Sequence, residues 1–194
     1  TGNALASVLV GDVSPSGKLP FTFPVKLEDN AAHSAGEFPG SNGQVNYSEG
    51  VFVGYRWHDK QNIKPLFSFG HGLSYTTFKY GKVSVDKKEI TSADKITFTV
   101  SVKNTGTRDG SEVVQLYISD KKSSVPRPLK ELKGFEKVSL KSGEEKTVSF
   151  TVDKTALSFF DADKHEWVAE PGDFEALIGA SSTDIRGSAA FKLK

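Results

Sequence analysis

The 194-residue sequence contains no cysteine and no methionine. Without cysteine, neither a disulfide nor a thiolate metal site can form, so the sequence does not reveal a redox compartment. Translation starts at methionine, whereas this chain starts Thr1-Gly2-Asn3. We therefore interpret the chain as a processed or truncated piece of something longer, with a mature secreted protein as the alternative.

The sequence also lacks an excess of charge of either sign. The chain carries 25 basic and 24 acidic residues, for a net charge of +1. It therefore lacks the domain-wide basic field that attracts nucleic acids and anionic membranes. No apolar run approaches the roughly 20 residues that span a bilayer. We expect neither a nucleic-acid partner nor a membrane partner.

Metal and phosphate motifs are not present either. No two of the four histidines have the i, i+4 spacing of a helical zinc motif. The turn with Asp161 and Asp163 offers too few oxygens for the roughly six- to eight-oxygen shell of calcium. The glycine-rich segments match neither GxGxxG nor a phosphate loop. We expect no metal and no cofactor.

What the sequence does have is a dense aromatic stretch at residues 47–78, here called the aromatic link. Eight of its 32 residues are aromatic, and glycines and prolines interrupt them. Aromatic side chains bury large areas, and glycine permits tight turns and close backbone approach. This composition indicates a packed, irregular segment rather than a flexible linker.

The residues before the aromatic link carry weaker signals. Residues 1–11 predict a short helix with Thr1 or Asn3 as its cap and Gly11 at its end. Residues 19–23 predict a short edge strand, because Pro20 lacks an amide hydrogen. Residues 25–46 show no periodicity and predict a long loop, and loops of that length are usually functional or disordered.

From about residue 80 the hydrophobic pattern has a period of two. Alternating runs are centred on residues 96–102, 114–118, 148–152, 174–178 and 189–193, and further strands are expected near 79–86, 132–138 and 165–168. Turn signals such as Asp109-Gly110 and Ser142-Gly143 separate the runs. The pattern predicts an antiparallel β-sandwich that is immunoglobulin-like and closest to fibronectin type III.

Three long motifs resemble the C-terminal third of glycoside hydrolase family 3 enzymes, the β-glucosidase and β-xylosidase family. GNALASVLVGDVSPSGKLPFTFP at residues 2–24 resembles the end of that family's α/β sandwich domain. YSEGVFVGYRWHD and PLFSFGHGLSYTTF within residues 47–78 resemble the link to its third domain. VKNTGTRDGSEVVQLYISD and RPLKELKGFEKVSLKSGE within residues 102–144, followed by LSFFD and EPGDFEALIG, resemble its fibronectin type III-like domain.

The resemblance implies a mainly β fold with three parts. Residues 1–24 would be the tail of an α/β sandwich domain, with its helix and edge strand. Residues 25–78 would be a loop and aromatic interdomain link, and residues 79–194 would be the fibronectin type III-like β-sandwich. His71 stands where the familiar motif has tyrosine, a mild departure.

The resemblance also implies that the parent is a retaining exo-glycosidase, most simply a secreted or periplasmic β-glucosidase. Retaining glycosidases need two carboxyl groups about 5–5.5 Å apart. In the family, a barrel domain supplies an aspartate nucleophile and the α/β sandwich domain supplies a glutamate acid/base, both N-terminal to this region. We therefore assign no catalytic residue to this chain and expect it to be inactive alone.

Four side chains of the aromatic link are candidates for a site. Glu49 would need a second carboxylate to act in catalysis, and Asp59 is the nearest along the chain; we favour a structural role. Arg56 suits a bidentate ion pair, with Glu49 or Asp59 as the expected partner, tying the link to the preceding domain. Arg56 and His58 are weak candidates for sugar binding, and packing is the favoured role of His58.

The two tryptophans admit a functional and a structural interpretation. Either ring could stack on the C–H face of a sugar, but core filling is the commoner role in a sandwich, and we favour it for Trp57 and Trp167. The loop at residues 25–46 is the best remaining place for function. The aromatics of the link are expected to bury against a neighbour that this chain does not contain.

Two functional interpretations follow. In the first, the chain is a scaffold whose partners are the barrel and α/β sandwich domains of the same enzyme, which together act on a β-glucoside or oligosaccharide. In the second, the sandwich is a carbohydrate-binding module, which would require a row of exposed aromatics. The predicted outward positions are mostly Thr, Ser, Lys and Glu, with Tyr117 as an exception, so the first interpretation is favoured. A β-xylosidase parent is a further alternative.

Overall fold

Two β-sheets packed face to face form the main body of the chain, which a computed structural model describes over residues 2–34 and 36–194. The strands are β1 (Phe78–Tyr80), β2 (Ser84–Val85), β3 (Glu89–Ile90), β4 (Ile96–Asn104), β5 (Gly110–Asp120), β6 (Glu131–Leu140), β7 (Glu145–Val152), β8 (Phe159–Asp161), β9 (Glu166–Val168), β10 (Gly172–Gly179) and β11 (Ile185–Leu193). The helices are α1 (Gly2–Leu9), α2 (Ala31–Ser34), α3 (Tyr55–Gln61) and α4 (Lys154–Leu157).

The first sheet is built around β4. Strands β1 and β2 pair with one edge of β4, and β7 pairs antiparallel with the other edge. The second sheet has the order β3-β11-β10-β5-β6, with only β3 parallel to its neighbour. Strands β8 and β9 form a separate antiparallel hairpin. The fold is a fibronectin type III-like sandwich, as the period-two pattern predicted.

The core lies between the two sheets and follows the alternation of the sequence. Along most of strand β4, buried residues alternate with half-buried ones. The buried residues meet those of β10 and β11. There the Phe191 ring contacts those of Phe98 and Phe174, with centroid distances of 5.3 and 5.6 Å. Tight interdigitation of such side chains stabilises the sandwich through burial of apolar surface.

The N-terminal segment is attached to the sandwich without entering its core. Helix α1 buries none of its residues. The predicted cap Asn3 lies inside this helix, and the alternative cap, Thr1, lies outside the described residues. The Tyr75 hydroxyl donates to the Val8 carbonyl at 2.8 Å, and Arg108 donates to the Gly11 carbonyl. These polar contacts hold α1 beside the aromatic link.

The predicted edge strand at residues 19–23 is wrong, because only one isolated bridge, Phe23 to Phe67, forms there. Backbone hydrogen bonds still join this segment to the aromatic link, from Leu19 to His71 and from Gly70 to Leu19, both 2.8 Å. Pro20 has no amide hydrogen with which to extend the ladder. The segment therefore runs beside the link without becoming a regular strand.

The predicted loop at residues 25–46 contains short regular structure. A 3-10 turn spans Leu27–Asp29, and α2 follows it. Ala31 packs with Phe52 and Trp57 in a small second core. The sequence pattern does not predict this turn and helix, because neither is long enough for an amphipathic pattern to repeat.

Helix α3 was not predicted either. It begins after Gly54, whose φ of +56° favours glycine, and ends at Asn62, which adopts the left-handed conformation at φ +54°. Its Trp57 and His58 are buried.

No helix in the described ranges has the length and apolar character needed to cross a membrane.

Candidate functional site

The outer face of the five-stranded sheet is covered by the aromatic link. Tyr117 of β5, predicted to point outward, is fully buried. Its ring meets that of Tyr55 at 5.9 Å, and Tyr55 in turn contacts Phe69 at 5.1 Å. The prediction of an exposed Tyr117 is wrong because the link, not solvent, lies on this face.

A buried polar network fixes the same contact. The Tyr117 hydroxyl donates to Gln115 Oε1 at 2.6 Å, and Gln115 Nε2 donates to the carbonyls of Gly70 and Ala180 at 3.2 and 2.8 Å. Burial, with the neighbouring Tyr55 and Asp59, raises the pKa of Tyr117 above its ordinary value. The hydroxyl therefore stays protonated and acts as a hydrogen-bond donor.

Two ion pairs hold helix α3 against strand β6 and the residues before it. Arg56 contacts Glu131 at 3.2 Å, and Lys130 contacts Asp59 at 2.5 Å. The prediction that Arg56 would pair with Glu49 or Asp59 is wrong. The partner is Glu131, 75 positions further along the chain, so Arg56 ties the link to the sandwich rather than to the preceding domain.

Arg127 lies at the centre of this charged cluster. It contacts Asp120 at 3.1 Å and Glu131 at 2.8 Å, and it donates to the Leu157 carbonyl at 2.8 Å. Burial on its own would raise the pKa of Glu131, but Arg127, Lys133 and Arg56 outweigh it and hold that pKa below its ordinary value. Glu131 is thus an ionised structural carboxylate rather than a proton donor.

The remaining link candidates do not form a catalytic arrangement. His58 is buried, and its Nδ1 donates to the Gly54 carbonyl at 3.0 Å. Packing was the favoured role of His58, and this contact agrees with it. Glu49 is half-buried, and Asp59 is occupied by Lys130. Across residues 2–34 and 36–194 there is no cluster of three or more His, Asp or Glu side chains that could hold a metal ion.

The two tryptophans differ from each other. Trp57 is 9% exposed, so core filling is confirmed for it. Trp167 is 69% exposed, and core filling is wrong for it. Trp167 stands on the β8–β9 hairpin, which lies outside both sheets of the sandwich, so its ring meets Phe160 of the same hairpin rather than the core.

The aromatic link is ordered and only partly buried. Phe52 and Trp57 are buried and Tyr55, Phe69 and Phe78 are half-buried, all within this chain. Tyr47, Phe67 and Tyr75 remain exposed. The expectation that the aromatics of the link bury against a missing neighbour is therefore wrong for the first group, and only the exposed ones are free to do so.

Fold and contacts together define a fibronectin type III-like sandwich with an N-terminal segment and the aromatic link packed beside it. Comparison with known families agrees. Residues 112–182 match the fibronectin type III-like domain, and residues 1–55 match the glycosyl hydrolase family 3 C-terminal domain. The chain belongs to glycoside hydrolase family 3.

Curated relatives support the assignment. The chain is 53% identical to a β-glucosidase of Bacteroides ovatus, with 98% of this chain and 26% of the relative covered. It is 56% identical to the thermostable β-glucosidase B of Acetivibrio thermocellus, with 95% and 24% covered. The chain therefore spans about a quarter of the length of these relatives.

Solved structures show the same correspondence. The GH3 β-glucosidase of Bifidobacterium adolescentis superposes with a TM-score of 0.92 at 42% identity, over 99% of this chain and 28% of that one. A β-glucosidase of Kluyveromyces marxianus in complex with glucose gives a TM-score of 0.91 at 49% identity, over 100% and 22%. The chain corresponds to the C-terminal part of these enzymes.

Proposed function

We propose that this chain is the C-terminal scaffold of a retaining, exo-acting family 3 β-glucosidase. The whole enzyme would hydrolyse terminal non-reducing β-D-glucosyl residues, with both catalytic carboxylates supplied by its barrel and α/β sandwich domains. The chain itself would contribute no catalytic group. Its role would be to pack on those domains and hold them so that the two carboxylates meet at the required separation.

The observation that carries this proposal is the unburied apolar surface at the N-terminal side. Helix α1 and the segment that follows it expose Leu5, Leu9, Val10, Val13 and Phe21. A short isolated helix is marginal in water and needs packing for its stability. Contiguous exposed apolar surface marks an interaction site. The α/β sandwich domain, whose last elements these residues resemble, is the partner that would cover it.

The proposal is tested by complementation. The chain is mixed with the remaining N-terminal part of a family 3 β-glucosidase, and hydrolysis of p-nitrophenyl β-D-glucopyranoside is followed. We expect no activity from either part alone and activity from the mixture. Leu5→Asp with Leu9→Asp on α1 should abolish recovery, whereas Phe135→Asp, at an equally exposed apolar position on β6, should not.

Three results would contradict the proposal. Hydrolysis by the chain alone would show that it holds its own catalytic groups. Full recovery with the doubly substituted α1 would show that this surface is not the contact. Faster hydrolysis of p-nitrophenyl β-D-xylopyranoside than of the glucoside would assign the parent to the β-xylosidases.

The loop at residues 25–46 enters the same proposal as a segment bordering the active-site mouth. Its position between the tail of the α/β domain and the aromatic link supports this, as does its exposed, mostly polar stretch at residues 41–46. Deleting residues 28–45 from the whole enzyme should change the kinetics on disaccharides and aryl glycosides. Unchanged kinetics would remove the loop from the proposal.

A further inference from the structure

A groove of about 380 Å³ runs beside the β8–β9 hairpin and takes no part in the proposed scaffold contact at α1. One wall is aromatic, formed by Phe160 and Trp167, whose ring centroids lie 5.8 Å apart in an edge-to-face arrangement. Both rings are more than half exposed. Its size lies within the range of small-ligand sites, roughly 300–1,000 Å³.

Charged, partly buried side chains also line the groove. Arg56, Arg127, Glu131 and Lys133 line it. Arg127 is held by Asp120 and Glu131 and is only 8% exposed, so it forms a rigid base. The groove thus combines fixed charged groups with an exposed aromatic platform.

Lys133 is a polar group of this groove whose ammonium makes one long ion pair and no short hydrogen bond. Its ammonium lies 3.6 Å from Glu131, beyond hydrogen-bond distance, and its side chain is 18% exposed. Burial lowers the pKa of Lys133, and Arg127 and Arg56 add to this effect against the attraction of Glu131. An ammonium has three donors, and holding it here without full hydrogen bonding costs stability. Arg56, at 30% exposed, also retains donors that face solvent.

We propose that this groove binds a pyranose ring of an oligosaccharide, with the ring face stacked on Trp167 and the hydroxyl oxygens accepting from Lys133 and Arg56. A pyranose has an apolar C–H face and a rim of hydroxyl groups, which matches a lining that combines exposed aromatic rings with charged donors. A purely apolar peptide would cover the charged side and leave its donors unpaired, at a cost. This site is distinct from the proposed scaffold contact and does not depend on it.

The two tryptophans make the test direct on the 194-residue chain. Trp57 is buried and Trp167 is exposed, so a ligand that enters the groove changes the emission of Trp167 alone. Titration with cellotetraose is expected to shift the emission to shorter wavelength, with a dissociation constant in the millimolar range. Trp167→Phe should abolish the fluorescence change and keep binding measurable by calorimetry, since the phenylalanine ring still stacks.

Single substitutions then show which residues form the sugar-binding site. Trp167→Ala should weaken cellotetraose binding about tenfold or more, because it removes the stacking platform. Lys133→Gln should weaken it several-fold and leave the fold intact, since the change removes a desolvated charge from a partly exposed position. Phe135→Ala, at an exposed aromatic position outside the groove, should leave the affinity unchanged.

Three results would overturn the proposal. The first is the absence of both an emission change and heat with cellotetraose at tens of millimolar concentration. The second is equal binding by Trp167→Ala and the unaltered chain. The third is a Trp167 that resists oxidative footprinting in the whole enzyme and stays protected without sugar, which would make the groove a docking surface for another domain.

Discussion

At the scale of single residues, Arg127 joins three elements of the chain. Its guanidinium contacts the end of β5 through Asp120, the start of β6 through Glu131, and the end of α4 through the Leu157 carbonyl. It also lies 5.6 Å from the Phe159 ring. The planar fork of arginine suits several simultaneous partners better than the single ammonium of lysine.

We expect Arg127→Gln to lower the free energy of unfolding by about 3–5 kcal/mol, because it leaves the buried Asp120 carboxylate without its cation. It also removes one of the ion pairs of Glu131, which keeps those with Arg56 and Lys133. Urea unfolding followed by circular dichroism measures this change. The matched control is Arg186→Gln, since Arg186 pairs with Asp184 at a site where both side chains are more than 40% exposed. The control should change stability by less than about 1 kcal/mol. Equal effects of the two substitutions would show that the Arg127 cluster stabilises the fold no more than an exposed ion pair does.

At the scale of elements, strand β5 shows what period-two alternation can and cannot predict. Its inward residues Val114, Leu116 and Ile118 were predicted to be core and are buried. Its outward residues Gln115 and Tyr117 were expected in solvent and are buried as well. Alternation identifies the face that meets the other sheet. It cannot say that a distant segment, here the aromatic link, covers the second face.

The contacts of the candidate residues likewise divide into those that the sequence could predict and those that it could not. An ion pair for Arg56 and a packing role for Trp57 and His58 could be predicted from residue type and local composition. The partner Glu131 could not, because ion pairing of this kind depends on tertiary placement across 75 positions. The exposure of Trp167 was missed for a related reason, since a three-residue hairpin strand has the same pattern whether it lies in a sheet or outside it.

The pairing of the aromatic link with residues 17–23 is open to an element-scale test at two glycines. A Cβ at Gly72 would lie 2.2 Å from the carbonyl oxygen of Gly17, whereas a Cβ at Gly17 would meet nothing within 4 Å. Neither glycine has the positive φ that strains other residues, so the comparison isolates the steric contact.

Gly72→Ala should force the two segments apart and break the bond between Leu19 and His71. Overpacking of this kind costs about 1–3 kcal/mol, so exchange of the Leu19 and Gly70 amide hydrogens should be about tenfold faster or more. Gly17→Ala should leave these rates unchanged or slightly slower, since it only restricts the unfolded chain. Hydrogen exchange followed by NMR measures both variants. Unchanged rates in Gly72→Ala would contradict the close approach.

At the scale of the whole molecule, stability is distributed unevenly. The main core draws its buried side chains from residues 83–193, between the two sheets. The second core consists of Ala31, Phe52 and Trp57, with Ile63 packed against it. Helix α1 adds no buried residue to either core. The C-terminal sandwich therefore has an apolar core of its own, while residues 2–50 depend on a few contacts and on polar bonds to the link.

We accordingly expect two tiers of protection in native-state hydrogen exchange of the chain. Amides of β4, β5 and β10 should exchange only through global unfolding, because their residues form the main core. Amides of α1 should exchange through local opening at rates that low urea does not change, because little buried surface is exposed when α1 opens. In the assembled enzyme, burial of Leu5 and Leu9 under the preceding domain should slow exchange in α1 and leave β5 unaffected. Equal protection of α1 and β5 in the isolated chain would show that α1 is stabilised within the chain, and would remove the reason for assigning its exposed face to a partner domain.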